Sequence, residues 1–329
     1  MKILAGIDIG GTKCSASLAT VPEDGTQQSL PEIVGRSAFP TPTGSEAALS
    51  ALVDALHALC DRQGISRLDS IGVSCGGPLD SGKGLILSPP NLPGWDRVDA
   101  VKPFHNSFHC PTHLQNDANA GALAEWLWGA ATGMQNVVFL TFGTGMGAGL
   151  ILNGRLYSGT NDLAGEVGHF RLAPDGPVGY GKRGSFEGFC SGGGIARLAS
   201  EFALAALDRG EAPGFCRTPE DIISITAEKV ALAAREADPV ASGIFDIVAK
   251  RLGEGLALIV DILNPEMIII GSIYGRQKEL LEDVMMERLR QEAIGAALDR
   301  CVVCPAGLGE RVGDFAALAI AMYSGAADR

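Results

Sequence analysis

Asp8-Ile9-Gly10-Gly11-Thr12-Lys13 sits between an apolar run, Ile3 to Ile7, and a run in which Cys14, Ala16 and Leu18 alternate with Ser15, Ser17 and Ala19. That pattern predicts strand, tight turn, strand. Adjacent Gly10 and Gly11 permit positive φ and carry no Cβ, so successive backbone N–H groups can close around an anion. Asp8 has the wrong charge for such a turn unless a hydrated Mg²⁺ lies between its carboxylate and a polyphosphate. Mg²⁺ keeps several waters and takes few protein ligands, which suits this arrangement. On this stretch alone, a glycine hairpin with no ligand is the alternative.

A second copy shifts the balance. Phe139-Leu140-Thr141-Phe142-Gly143-Thr144-Gly145 runs into Ala148 to Leu152, with Thr141 where Asp8 was, Gly143 on Gly10 and Thr144 on Gly11. Two such hairpins imply two similar lobes, each offering a phosphate-gripping turn to a shared cleft. A dinucleotide fold is disfavoured, because its G-x-G-x-x-G opens a helix and here Lys13 is followed by a strand pattern. No G-x-x-x-x-G-K-[ST] loop occurs either.

The elements that must position these turns follow from periodicity. A short strand is expected near Ile33 and Val34 within the proline-containing stretch 22–44. Ser45 is expected to cap a helix reaching Leu59, with Gly64 as its stop. Ile71 to Cys75 reads as a buried strand emptying into Gly76-Gly77-Pro78, and Ser88 to Trp95 as a loop stiffened by proline. Thr112 to Gln115 reads as a strand ending at Asn116-Asp117, where a helix opens and runs to about Ala131. A carboxylate at a helix start is favoured in its ionised form, so Asp117 can accept a proton. Gly165 to His169 and Gly181 to Glu187 read as a polar pocket lining, with ion-paired surface residues as the alternative. Helices are expected over 194–206, 219–237 with a break, 239–263, 277–297 and 312–324. Strands are expected over 267–270, ending at Gly271-Ser272 where an α/β sheet would hold ligand, and over 301–304.

Composition narrows the function classes. The chain has 329 residues, 46% hydrophobic and 19% charged, enough to bury a sizeable core in two domains. Net charge −12 disfavours nucleic acid and anionic membrane, so a polyanion must be gripped locally by backbone and metal. With no signal peptide or spanning segment expected, and eight cysteines in no disulfide framework, the chain reads as cytoplasmic. Cys301 and Cys304 read as two buried thiols on a strand. His105, His109, Cys110 and His113 read as a helix end leading into a strand, since Pro111 breaks the spacing a metal cluster needs.

GIDIGGTK, PNLPGW at 90–95, QNDANAGALAE at 115–125, FGTGMGAGLILNGRLYSG at 142–159, AGEVGH at 164–169 and LNPEMIIIGS at 263–272 together resemble the ROK family of sugar kinases and repressors over essentially the full length. The resemblance implies a two-lobed α/β, actin-like ATPase (ribonuclease H-like) fold with ATP, Mg²⁺ and sugar in the interlobe cleft. It places one lobe at 1–118 plus 312–329 and the other at 119–311. It implies Asp117 as catalytic base, and Asn91, Asn116, Glu166, His169 and Glu187, with Asp117, as partners of sugar hydroxyls. It further implies Asp8, Gly10, Gly11, Thr12, Lys13, Thr141, Gly143, Thr144 and Gly145 as phosphate holders, Asp8 reaching Mg²⁺ through water, and Gly271 and Ser272 as part of the nucleoside site.

Two departures matter. The family's repressors carry an N-terminal DNA-binding domain, and here only seven residues precede Asp8, so repression is not expected. The family's zinc-binding Cys-x-Cys-Gly-x-x-Gly-Cys-x-Glu reads Val178-Gly-Tyr180-Gly-Lys-Arg-Gly184-Ser185-Phe-Glu187, so no structural zinc is expected, and packing of Tyr180 and Phe186 is expected to hold the loop instead. The expected activity is ATP-dependent phosphorylation of a hexose hydroxyl, glucose first, by a homodimer. Alternatives are a kinase for fructose, mannose or an N-acetylated amino sugar, polyphosphate as donor, a non-catalytic sugar sensor, and a dinucleotide oxidoreductase.

Overall fold

The computed structural model describes residues 1–22 and 29–327, the last four as helix backbone alone. Residues 23–28 of the polar stretch, and 328–329 of the segment assigned to the first lobe, lie outside the described residues. The chain forms two compact units, one of Met1–Phe139, Gly149–Ala164 and Gly307–Arg329, the other of Leu140–Ala148 and Gly165–Ala306.

In chain order the first stretch comprises β1 (Lys2–Ile9), β2 (Lys13–Val21), β3 (Glu32–Pro40), α1 (Ser45–Gln63), β4 (Ser70–Cys75), β5 (Leu79–Asp80), β6 (Leu85–Leu87), β7 (Asp96–Asp99), α2 (Lys102–Phe108), β8 (Thr112–Asn116) and α3 (Asp117–Trp128). The main sheet has the order β3-β2-β1-β4-β8, antiparallel across β3, β2 and β1, and parallel from β1 to β4 to β8. β3 is nine residues long, not the short strand expected near Ile33. Its half-exposed edge position leaves no clean hydrophobic alternation to read, and pairing along β2 sets its length. Ser45 does not cap α1. Gly44, at φ 89°, occupies the N-cap without a side-chain bond, while Gly64 ends the helix in the left-handed region as expected.

The second stretch comprises β9 (Val137–Phe142), β10 (Met146–Leu152), β11 (Arg155–Leu156), β12 (Val178–Gly179), β13 (Lys182–Arg183), α4 (Phe186–Phe189), α5 (Gly192–Asp208), α6 (Ala227–Arg235), α7 (Pro239–Leu263), β14 (Met267–Ile270), α8 (Ile273–Glu292), α9 (Gly295–Leu298) and β15 (Val302–Pro305). The second five-stranded sheet, β11-β10-β9-β14-β15, repeats the strand order of the first, a hairpin edge followed by crossover strands. α7 covers the expected 239–263; Asp238 caps its start and left-handed Asn264 ends it. α8 begins four residues before the expected start at 277, because the helix continues across a kink at Gln277 (φ −119°, ψ 20°). It ends at Glu292, and α9 accounts for the remainder of the expected helix. Cys301 precedes β15, and both Cys301 and Cys304 are half-buried, not buried thiols, since β15 is an edge strand.

The chain closes with α10 (Val312–Ala327), which lies on β1 and β4 of the first unit. A Cβ on Gly72 would meet the Ala317 carbonyl, and one on Gly6 would press on Ala317 and Leu318, so glycine in these strands lets the helix approach the sheet backbone. Among the described residues no helix is long and apolar enough to cross a membrane.

Candidate active site

The first hairpin places Asp8 near the end of β1, opposite Ser15 on β2 and Ser74 on β4. Its turn is closed by Gly10 N–H donating to the Lys13 carbonyl at 3.1 Å. Neither Gly10 nor Gly11 adopts positive φ, contrary to the expectation for adjacent glycines. They are needed for close approach: a Cβ on Gly10 would strike the Lys13 carbonyl, and one on Gly11 the Asn91 carbonyl. Thr41 braces the turn, its hydroxyl donating to the Gly10 carbonyl at 2.6 Å and its N–H to the Thr12 carbonyl at 3.0 Å. The turn thus holds Gly11, Thr12 and Lys13 exposed. The stiff loop between β6 and β7 lays Asn91 against Gly11 and Gly76.

Asp117 opens α3, directly after β8. Asn116 caps this helix, its Oδ1 accepting from Asn119 N–H at 2.7 Å. The Asp117 Oδ1 accepts from the Ala118 N–H at 2.9 Å, which by itself favours the carboxylate. The net direction is opposite to the helix-dipole expectation. Asp117 is exposed by surface area, yet the protein gathered around its carboxyl outweighs these bonds and pushes its pKa upward, an effect that the solvent reaching it screens. Asp8 is raised as well, to about 6, first by burial and then by the charge of Asp117, against smaller lowering by Arg36 and Lys13. Two neighbouring carboxylates whose ionised forms are both disfavoured make an oxygen donor set of the kind a hard cation takes, so the residues present fit Mg²⁺.

The second hairpin joins β9 to β10. Thr141, the counterpart of Asp8, turns its hydroxyl inward: it accepts from Gly147 N–H at 2.9 Å. Gly143 N–H donates to the Gly145 carbonyl at 3.1 Å, and the Gly143 carbonyl accepts from Gly192 N–H at 2.7 Å. Gly143, Thr144 and Ser272 line one cavity of about 870 Å³ together with Gly192, Gly193 and Arg235. This is the size of a small-molecule site. α5, capped by Ser191, and α8 both begin at this cavity, so two helix N-termini favour an anionic ligand there. Gly271 holds the end of β14 to β9 through its N–H on the Leu140 carbonyl at 2.9 Å, which sets Ser272 at the cavity wall. Arg235 is fixed by bonds to the Arg276 carbonyl at 2.8 Å and to Gln277 Oε1 at 2.7 Å.

Glu166, His169 and Glu187 all lie in the second unit. Glu166 precedes a 3₁₀ turn, Val167–His169, that the close packing of Gly165 and Gly168 on the β10 backbone holds in place. Glu187, on α4, accepts from the Met146 N–H at 3.1 Å, so it closes the second hairpin as well. His169 packs edge-on against Tyr180, ring centroids 5.0 Å apart, and its carbonyl accepts from Lys182 Nζ at 2.7 Å. Tyr180 is 62% exposed, which corrects the expectation that it supplies buried packing. Phe186 does so alone: it is fully buried against Gly255 of α7. Ser185 caps α4 through the Gly188 N–H at 3.1 Å and donates to the Gly179 carbonyl. Val178, Tyr180 and Ser185, where the resemblance implies thiolates, are not zinc ligands, so the donor set does not fit that metal.

A glycine-turned hairpin repeated in two like sheets, with a carboxylate beside the first turn and a helix-lined cavity beside the second, defines the actin-like ATPase class of fold. The chain belongs to the ROK family, whose sequence model matches residues 4–323. It is 30% identical over 299 residues to a glucokinase of Streptomyces coelicolor, covering 90% of this chain and 89% of that one. It is 32% identical to an N-acetylmannosamine kinase of Escherichia coli, covering 87% and 88%. A ROK family glucokinase from Streptomyces griseus, solved with glucose and AMPPNP, superposes with a TM-score of 0.77 at 29% identity, over 97% of this chain and 99% of that one.

Sequence reasoning missed Thr41, Gln115, Asn119, Ser158 and Arg235. Ser191-Gly192-Gly193-Gly194 was a legible helix-start signal next to the second hairpin. Thr41, Ser158 and Arg235 are ordinary polar residues whose partners lie far along the chain, and the bonds that Gln115 and Asn119 make to each other converge on distant Ser158, which no local spacing marks.

Proposed function

We propose that this sugar kinase transfers the γ-phosphoryl group of ATP to a hydroxyl of a hexose, glucose foremost. The observation that carries the reading is Asp117, held at the start of α3 within electrostatic reach of Asp8 and with a raised pKa. A carboxylate whose proton affinity lies above the ordinary value is a better acceptor for the hydroxyl proton. As the sugar oxygen bonds to the γ-phosphorus, the bond to the β–γ bridging oxygen breaks, ADP leaves, and the hydroxyl proton passes to Asp117. Asn91 and Asn116 offer amide groups to sugar hydroxyls, and Glu166, His169 and Glu187 are the acceptors assigned in the second unit. The turn of Gly10 to Lys13, exposed from Gly11 on, and the turn of Gly143 to Gly145 take phosphate oxygens, with Gly271 and Ser272 at the nucleoside. Asp8 would hold a hydrated Mg²⁺, and such an ion would supply charge neutralisation at the phosphates.

The relative named as an N-acetylmannosamine kinase favours an amino sugar as the second reading. An ADP-release screen over hexoses, amino sugars and their N-acetyl forms decides between them. Highest kcat/KM on glucose is expected; release that no sugar raises above the water background overturns the kinase reading. We further propose a homodimer without structural zinc, to be checked by light scattering and by elemental analysis of the purified protein.

A further inference from the structure

Beneath Asn116 and Asp117 lies a polar cluster that the reaction as described does not use. Asp8, Ser74 and Gln115 occupy one cross-strand row of the first sheet, so their side chains share a face. Gln115 and Asn119 are buried, at 7% and 0% exposure, and polar groups so placed are retained only where their bonds are made. Gln115 Oε1 accepts twice, from the Asn116 backbone N–H at 2.8 Å and from Asn119 Nδ2 at 3.0 Å. Gln115 Nε2 and Asn119 Nδ2 both donate to Ser158 Oγ, each at 3.3 Å. Asn119 also gives its backbone N–H to the Asn116 side chain. The strand end that carries Asp117 is therefore gripped from its backbone and its cap by two amides, and those amides converge on one hydroxyl.

That hydroxyl belongs to a different segment. Ser158 starts the loop after β11, which folds back on itself through the Ala164 N–H to the Ser158 carbonyl at 3.1 Å. The same loop is pinned to the turn between β5 and β6 by Asp162, which accepts from Ser81 N–H at 2.7 Å and from its hydroxyl at 2.9 Å. Among the described residues the Asn119 Oδ1 has no partner, so the cluster leaves one buried acceptor unmatched. The two amides answer the Asn116 backbone N–H and the Ser158 hydroxyl, so replacing them would orphan groups on both segments and uncouple the strand end from the loop.

We propose that Ser158, acting through Gln115 and Asn119, is a positioning residue for Asp117: it sets the angle at which β8 delivers the carboxylate, and the loop 158–164 holds it there. The proposal rests on Asp117 as the base. A hydroxyl this far from the reacting atoms acts on geometry, and small displacements of a base cost rate more than affinity.

The test is a double-mutant cycle of Ser158→Ala with Asp117→Asn, measured under saturating and limiting sugar. Ser158→Ala is expected to lower kcat about tenfold with both KM values within about twofold, and Ser158→Thr, which keeps the hydroxyl, to restore at least half the rate. In the Asp117→Asn background the same Ser158→Ala change is expected to alter the residual rate by less than about twofold. Unchanged kcat in Ser158→Ala alongside a crippled Asp117→Asn overturns the positioning role and leaves the base intact. Equal losses in both backgrounds mark a general structural effect and also overturn it. A fully active Asp117→Asn removes the base assignment and this inference with it. Should Ser158→Ala fold poorly, Ser158→Cys, whose thiol is a weaker acceptor for the two amides, is judged by the same cycle.

Discussion

The two glycine hairpins are copies in sequence and differ in what they do with the residue before the turn. In β1–β2 that residue is Asp8, whose carboxyl is raised to about 6 and which relies on a distant residue, Thr41, to brace its turn. In β9–β10 it is Thr141, whose hydroxyl braces its own turn by bonding Gly147. One hairpin carries an ionisable carboxyl before its turn, and the other a hydroxyl that bonds within the hairpin, which presents backbone beside a cavity. The comparison teaches that a shared turn geometry does not imply a shared role. The carboxyl of the first hairpin sits in the unit that carries Asp117, and the cavity with the N-termini of α5 and α8 sits in the other.

The strongest way to break this division is at Asp117. Asp117→Asn should lower kcat by about 10²-fold or more with sugar and ATP binding nearly intact, since a lost general base contributes on that order. Calorimetric binding combined with steady-state rates checks it, and a variant holding half the normal rate defeats the assignment.

Matched glycine substitutions sharpen the comparison next. A Cβ on Gly11 meets the Asn91 carbonyl, while one on Gly143 meets only the Ser272 side chain, its Oγ at 3.7 Å, an ordinary contact. Gly11→Ala should therefore cost about tenfold in kcat/KM for sugar as the loop with Asn91 is pushed away, and Gly143→Ala less than about threefold. Equal effects would mean the hairpins are alike after all.

A smaller effect separates Asp8 from Thr141 by pH. The folded-state pKa of Asp8, about 6, lies above its ordinary value of 3.8, so the protonated form suits the folded chain and ionisation destabilises it as pH rises. Asp8→Asn should therefore raise the Tm of ligand-free protein at pH 8, by up to about 2 kcal/mol of stability, and confer no gain below about pH 4. Added Mg²⁺ should stabilise the native protein and not the variant. Thr141→Val should show no such pH dependence.

The smallest effect on activity concerns the loop at 178–187. Tyr180 is exposed and packs on the edge of His169, so Tyr180→Ala should change the sugar KM by less than about threefold. Phe186→Ala, at a fully buried position, should cost about 3–5 kcal/mol of stability. Activity should survive a zinc chelator while Mg²⁺ is in excess.

Sequence by itself determined both hairpins, the α7 boundaries at Pro239 and Asn264, the buried strand at 267–270 and the junction that carries Asn116 and Asp117, because each is written within a few residues as periodicity, capping or a glycine turn. Only the tertiary structure decided why Gly11 must be glycine, that Thr41 braces its turn, that Phe186 and not Tyr180 anchors the α4 loop, and that Ser158 meets Gln115 and Asn119. It also reversed the direction of the Asp117 shift. A helix dipole is local and can be read from the chain, whereas desolvation depends on how much protein gathers around the group. Close approaches, buried polar partners and the density of protein around a charge are all properties of residues far apart in sequence, and no local spacing encodes them.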